Sequence, residues 1–195
     1  MLKRLFDIVV SLIGLVILSP VLLILGAWVK LSSPGPIFYR SSRVGRDGVE
    51  FKLLKFRSMV INADKLGPPV TGAHDPRITR VGRILRGTKM DELPQLWNVL
   101  VGEMSLVGPR PEAPKYVAYY TPTQRAVLRV RPGITGPASI RYRHEEEILT
   151  GENWEEKYIR EVMPAKLEID LEYARHVSLA RDVILIFLTF LALFR

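Results

Sequence analysis

The 195-residue chain contains no cysteine. Disulfides, thiolate metal sites and a cysteine nucleophile are thereby excluded. Histidine is scarce as well. His74, His144 and His176 lie far apart and form no HxxxH-type pair, so they read as separate surface or packing residues and not as a metal cluster. No internal repeat or low-complexity tract is visible. Acid is the minority charge, with 20 Asp and Glu against 28 Lys and Arg, and the formal net charge is +8. That excess suits the phosphates of nucleic acid, nucleotides or anionic lipid equally well, and alone it does not choose among them. The length allows one compact domain of ordinary size with an appendage.

Charge is also missing from Ile8 to Val29. As a helix this run reaches roughly 30 Å, the thickness of a hydrocarbon core, and no small-residue cleavage site follows it. It reads as a permanent membrane element. Pro20 lacks an N–H and its ring collides with the carbonyl of Val16, which predicts a kink. Ser19 can offer its hydroxyl to a nearby carbonyl and soften the break. Lys3 and Arg4 flank one end and Lys30 the other, so the positive-inside rule holds both ends on the cytoplasmic side. A kinked transmembrane helix and a helix that enters and leaves by one face both remain open on these grounds. A second apolar run, Val183 to Phe194, is too short to cross a bilayer comfortably. It suits a buried helix or one lying at the interface, with Arg175, Arg181 and Arg195 available to anionic headgroups.

The chain changes character after Ser32-Ser33-Pro34-Gly35-Pro36. Segments 37–43 and 49–59 are β-rich and flank an Asp47-Gly48 turn, a hairpin signal. Residues 60–78, rich in Pro, Gly, Asn and Asp, read as an ordered loop or a lid. A short helix is expected over 78–87. Leu93, Leu96, Trp97 and Leu100 mark the apolar face of another helix, closed by Gly102. Further helices fit 112–120, 122–130 and 152–175, the last divided by Pro164. The expected fold class is α+β and helix-rich: a membrane helix over 1–31, a main domain over 32–182 with a small hairpin, and a C-terminal apolar helix over 183–195.

Within KMDELPQLWNV (89–99), Asp91 and Glu92 stand side by side at a helix start. Thr88 as N-cap would make Thr88-x-x-Asp91 resemble a capping box; alternatively Asp91 is itself the cap, with Pro94 in the first turn. Taken singly, acids there merely cap. Their surroundings point further. Arg86 precedes them, and Arg110 is held between two prolines in SLVGPRPE (105–112), a rigid mount for a bidentate phosphate ligand. Lys55 and Arg57 share one face of the second hairpin strand, and Arg131 introduces the Pro-Gly turn RPGITG (131–136). Arginines at loop edges beside an Asp–Glu pair suggest a diphosphate site with a divalent cation, because Mg²⁺ needs few protein carboxylates when phosphate oxygens complete its shell.

The stretches KRLFDIVVSLIGLVILSPVLL, FKLLKFRSM, DPRITRVGRILRGTKMDELPQLWNVLVGEMSLVGPRP and RPGITG, in that order, resemble the bacterial sugar transferases, the monotopic phosphoglycosyl transferases. The resemblance implies that Ser19-Pro20 is the break of a re-entrant helix that does not span. It implies a protein on the cytoplasmic face of the bacterial inner membrane, with a UDP-sugar and polyprenyl (undecaprenyl) phosphate as substrates and Mg²⁺ as cofactor. Asp91 would attack the sugar-proximal phosphorus, release UMP and carry the phosphosugar, which polyprenyl phosphate then takes up. Asp91 would also meet the metal, and Glu92 would help position it or handle a proton. Arg110 is the first candidate for phosphate binding, followed by Lys55, Arg57, Arg86 and Arg131. The chain departs from the family pattern after RPGITG, where PASIRYRHEEEIL (137–149) makes Arg141, Tyr142 and Arg143 the substitutes for nucleotide and sugar contacts. It resembles the small, minimal form of the family. A homodimer is left open. A non-catalytic basic module binding anionic lipid explains the charge but not DE followed by GPRP. A nucleic-acid binder fits the alternation of basic and aromatic residues in 37–57 but not the membrane segment.

Overall fold

The computed structural model describes residues 1–71, 75–149 and 153–193, so His74, Phe194 and Arg195 lie outside the described residues. Helix α1 (Leu2–Ser32) takes up the whole apolar N-terminus and is long and apolar enough to cross a membrane. An antiparallel hairpin follows, β1 (Phe38–Val44) with β2 (Glu50–Phe56), its turn using Asp47 and Gly48 at positive φ. The segment after it holds one helical turn, α2 (Ala63–Leu66), and is tied together by Arg77. That guanidinium meets Asp75 (2.5 Å) and the carbonyls of Ala63 and Pro68. Next come α3 (Arg80–Gly87), α4 (Gln95–Val101), strand β3 (Ser105–Val107) and α5 (Pro114–Val117). Strand β4 (Gly133–Thr135) pairs with β3 in parallel. The short helices α6 (Pro137–Arg141), α7 (Glu145–Ile148) and α8 (Trp154–Lys157) lead into α9 (Met163–Arg175) and α10 (Leu179–Leu193).

The hairpin, α3, α4 and the Gly102 closure (φ +100°) stand where the sequence places them. Three expectations change. Residues 112–120 yield only the single turn α5, and 122–130 a 3₁₀ stretch over Gln124–Arg129. Helicity over residues 154–175 is divided not at Pro164 but by a π turn, Tyr158–Val162, just before α9, and the missing N–H of Pro164 lies in the first turn of α9. The β3–β4 pair, absent from the expectations, brings the SLVGP and RPGITG loops side by side. On α4, Trp97 is 53% exposed, while Gln95, Asn98 and Val99 form the buried face. Asn98 earns its place by bridging α4 to β2. Its amide accepts from the Leu54 N–H (3.0 Å) and donates to the carbonyl of Lys52 (2.9 Å) and to Glu103 (2.6 Å).

Helix α1 packs one stripe on the folded domain and leaves the rest of its apolar surface outward. Asp7, Ser11, Leu25, Gly26 and Val29 are buried on one stripe, while Leu12, Ile13, Val16, Ile17, Leu23 and Ile24 are exposed. Such an outward surface is stable against lipid, not water. Pro20 sits inside the helix. The Ser19 hydroxyl donates to the Val16 carbonyl at 2.8 Å, which is the acceptor that Pro20 leaves without a partner.

Both ends of α1 are fastened to the same body. Asp7 Oδ1 accepts from Ser105 Oγ and the Leu106 N–H, each at 3.1 Å. Lys3 and Arg4, read from sequence as membrane-flanking charges, are used within the fold. Arg4 donates to the Val99 (2.6 Å) and Leu100 (2.9 Å) carbonyls at the end of α4. Lys3 Nζ donates to the Val107 carbonyl (3.1 Å) and Asp182 Oδ2 (2.5 Å). At the far end Arg57 Nη2 donates to the carbonyls of Val29 (3.2 Å) and Ser33 (2.7 Å). Helix α10 buries Asp182, packs Leu185 and Ile186 against the β3 core, and leaves Ile184, Phe187 and Phe190 exposed. It is thus a core helix on one side and an apolar surface on the other.

Candidate active site

The Asp91–Glu92 turn is built by three local choices. Thr88 closes α3, its hydroxyl donating to the Ile84 carbonyl at 2.9 Å. Lys89 then takes a left-handed conformation (φ +58°), and one 3₁₀ turn, Met90–Glu92, follows. Pro94 precedes the first residue of α4. Thr88 therefore ends one helix and does not cap the next. Asp91 is no cap either: its Oδ1 is buried and, among the described residues, has no hydrogen-bond partner. Reversal at Lys89 turns both acids inward, leaving Asp91 3% and Glu92 9% exposed.

The two carboxylates have opposite environments. Glu92 holds Lys55 Nζ at 2.9 Å and accepts both terminal nitrogens of Arg110, at 2.5 and 3.2 Å. Burial pushes its carboxyl pKa up, but Arg110 and Lys55 more than reverse this and hold it well below the usual range. Glu92 in turn keeps the Arg110 guanidinium firmly protonated, whereas burial lowers the Lys55 pKa against the pull of Glu92. Asp91 carries a raised pKa, first through burial and then through Glu92, with Lys55, Arg86 and Lys89 opposing. An unpaired buried carboxylate costs free energy unless a ligand completes it. That is the expected condition of a group waiting for a phosphoryl centre or a cation.

These residues open into a cleft of about 1210 Å³ lined by Lys55, Arg57, Arg86, Lys89, Asp91, Glu92 and Arg110. Residues from three regions of the chain thus converge on one space. Lys55 and Arg57 both border the cleft, but they do not share a strand face as expected. Strand β2 ends at Phe56, and Arg57 turns to the α1 carbonyls described above, leaving Nη1 buried without a partner among the described residues. Arg131 lies outside the cleft lining and donates through Nε to the Gly102 carbonyl at 2.9 Å. Arg141 is exposed at the end of α6 and does not line the cleft either. Arg143 and Tyr142 do. Sequence reasoning missed Lys166 and Glu112 in the wall. Lys166 is buried, meets Glu145 at 2.5 Å and stands 4.0 Å from Glu112. Only a buried lysine's need for counter-charge could have flagged it, and burial is not visible in an isolated α9 sequence.

The opposite wall is apolar. Val10, Gly14 and Leu18 of α1 and Ile186 and Phe190 of α10 all border the same cleft, Val10 and Ile186 packing on one core cluster. Among the described residues no group of three or more His, Asp or Glu could hold a metal unaided. Glu92 is engaged by Lys55 and Arg110, which leaves Asp91 as the free member of the pair. One such oxygen fits Mg²⁺ when phosphate oxygens supply much of its shell.

The family model for bacterial sugar transferases matches residues 1–195. The chain belongs to the bacterial sugar transferase family. The UDP-glucose:undecaprenyl-phosphate glucose-1-phosphate transferase of Escherichia coli K12 is 44% identical over 194 residues, 97% of this chain and 39% of that protein. The transferase of the same name from Caulobacter vibrioides is 41% identical over 187 residues, 93% of this chain and 65% of that protein. Exopolysaccharide production protein ExoY of Sinorhizobium fredii is 35% identical over 202 residues, 96% of this chain and 83% of that protein. This sugar transferase chain therefore spans about two-fifths of the Escherichia coli relative's length and somewhat under two-thirds of the Caulobacter one.

Proposed function

We propose that this chain moves a sugar 1-phosphate from a UDP-sugar to polyprenyl phosphate at the cytoplasmic face of the bacterial inner membrane. The observation that carries the reading is one cleft with two characters: a cationic end around an unpartnered buried Asp91, and an apolar wall made by two helices whose outer faces are lipid-like. A phosphosugar donor suits the first and an isoprenoid chain the second. The names of two relatives carry both a UDP-sugar and undecaprenyl phosphate, which supports the reading.

In the first half-reaction an Asp91 carboxylate oxygen attacks the sugar-bearing phosphorus. The bond from that phosphorus to the bridging oxygen breaks, and UMP departs with the electron pair. A sugar-phosphoryl group is left as an acyl phosphate on Asp91. In the second, an oxygen of polyprenyl phosphate attacks the same phosphorus. The bond to Asp91 breaks, the carboxylate is regenerated, and a polyprenyl diphosphate sugar leaves. Lys55 and Arg110, both held by Glu92, offset the charge that gathers at phosphorus. Mg²⁺, held by Asp91 and the diphosphate oxygens, would supply further neutralisation. Glu92 acts as a positioning residue, because its oxygens are committed to those two cations.

The same fastening of both α1 ends to one domain supports the re-entrant reading, in which Ser19-Pro20 marks the deepest point. The full chain in nanodiscs, given a UDP-sugar, Mg²⁺ and undecaprenyl phosphate, is expected to release UMP. Asp91→Asn is expected to abolish that release and the covalent phosphosugar adduct. Full turnover by Asp91→Asn would remove the nucleophile assignment.

A further inference from the structure

An acidic arm reaches the cleft through Glu145 and Glu146. Helix α7 is a single turn bearing Glu145, Glu146 and Glu147, and none of its four residues is buried. Two of its acids nevertheless reach cleft cations. Glu145 meets Lys166 at 2.5 Å, and Glu146 forms an ion pair with Arg86, sixty residues away in the chain. Arg86 stands close enough to Asp91 to affect its ionisation. Both Arg86 and Arg143 line the cleft with Asp91. Each keeps one guanidinium nitrogen, Arg86 Nε and Arg143 Nη1, buried without a partner among the described residues. Unsatisfied guanidinium donors in a cleft are costly, and a phosphate with several acceptor oxygens satisfies them.

The asymmetry of the ion pair is informative. The Arg86 side chain is 22% exposed and that of Glu146 46% exposed. The arginine is thus the fixed half, and the glutamate is the half that leaves at little cost. A carboxylate on an arginine is a fair mimic of a phosphate oxygen. We propose that Arg86 and Arg143 form the subsite for the nucleoside-side phosphate of the donor, and that Glu146 fills this subsite until the phosphate displaces it. The inference rests on the transferase reading for the donor's identity, but its core, an anion subsite guarded by an acid, does not require turnover.

The test is calorimetric binding of inorganic diphosphate, and separately of UMP, to the full chain in nanodiscs. Glu146→Gln is expected to bind both about two- to five-fold more tightly, the gain from removing a half-exposed competing ion pair. Arg86→Gln and Arg143→Gln are each expected to weaken binding by about ten-fold, as loss of a charge-assisted contact does. The Glu146→Gln gain is expected to vanish in the Arg86→Gln background. Glu147→Gln, one residue away and 78% exposed, removes the same charge from the same turn and is expected to change nothing. Equal gains from Glu146→Gln and Glu147→Gln would reduce the effect to general charge and overturn the proposal. So would a gain that persists without Arg86, or no gain at all. Because Asp91→Asn turnover is a separate measurement, failure of the transferase reading and failure of this subsite are told apart.

Discussion

Replacing Glu92 by Gln removes one charge and keeps the shape. The amide has one acceptor oxygen for Lys55 and Arg110, which now share two, and its NH₂ faces a guanidinium. Losing one member of a buried ion pair costs about 3–5 kcal/mol. The lower end applies here, because the Arg110 side chain is 33% exposed and water screens what remains. About 3 kcal/mol corresponds to a fall in Tm of about 6–12 °C for a chain of this size. The pH dependence carries a sign. Glu92 has a folded pKa well below its ordinary value, so its stabilisation is complete above about pH 4.3, the unfolded pKa, and is lost as pH falls towards the folded one. Wild type and Glu92→Gln should therefore differ at neutral pH and converge in acid. Kinetics separate positioning from proton transfer. In the proposed reaction Asp91 must be ionised to attack, so its raised pKa is expected to place the acid limb of the rate profile above the ordinary aspartate value. Glu92 contributes to that raising, so its removal should move the limb to lower pH while leaving no limb missing, with KM for the donor raised. Scanning calorimetry and a pH–rate profile of UMP release measure both. An unchanged Tm, or a profile that loses a limb outright, would refute the view that Glu92 serves by holding Lys55 and Arg110.

Leu18→Trp, in the apolar wall of the cleft, is expected to leave formation of the Asp91 adduct intact and to raise KM for the long-chain acceptor several-fold, with a short-chain polyprenyl phosphate unaffected; rapid-quench measurement of the two half-reactions checks this. Asp182 is 1% exposed and accepts from Lys3 (2.5 Å) and from the Tyr173 hydroxyl (2.6 Å). Asp182→Ala should therefore cost about 3–5 kcal/mol, read as a lowered Tm, and should loosen the N-terminal end of α1 to proteolysis.

How much of this was legible in the chain depends on the range of the interaction. The hairpin was legible because its turn residues are local: Asp47 and Gly48 take the positive φ that an Asp-Gly turn foretells. The Val16 carbonyl and its Ser19 donor follow from counting four residues back from Pro20. The β3–β4 pair was not legible, since three-residue strands show no period and their pairing spans the chain from Ser105 to Gly133. The partners of Lys3 and Arg4 were hidden for the same reason. Local rules read the two basic residues as flanks of a membrane segment, while their partners Val107, Asp182, Val99 and Leu100 are remote in sequence. Arg131 shared the loop setting of Arg110 but, like Arg141 at the end of α6, not its place in the cleft.

The sequence by itself determined the long apolar helix with its satisfied proline break, the basic excess, the family, and the adjacency of Asp91 and Glu92. Tertiary structure alone decided which acid is free. Neighbours in the chain, the two carboxylates differ because folding brings Lys55 from β2 and Arg110 from the GPRP loop onto Glu92, while Asp91 Oδ1 meets no partner among the described residues. Counter-charge acts across space within a few ångströms and is indifferent to chain order, so no local pattern could have divided the pair.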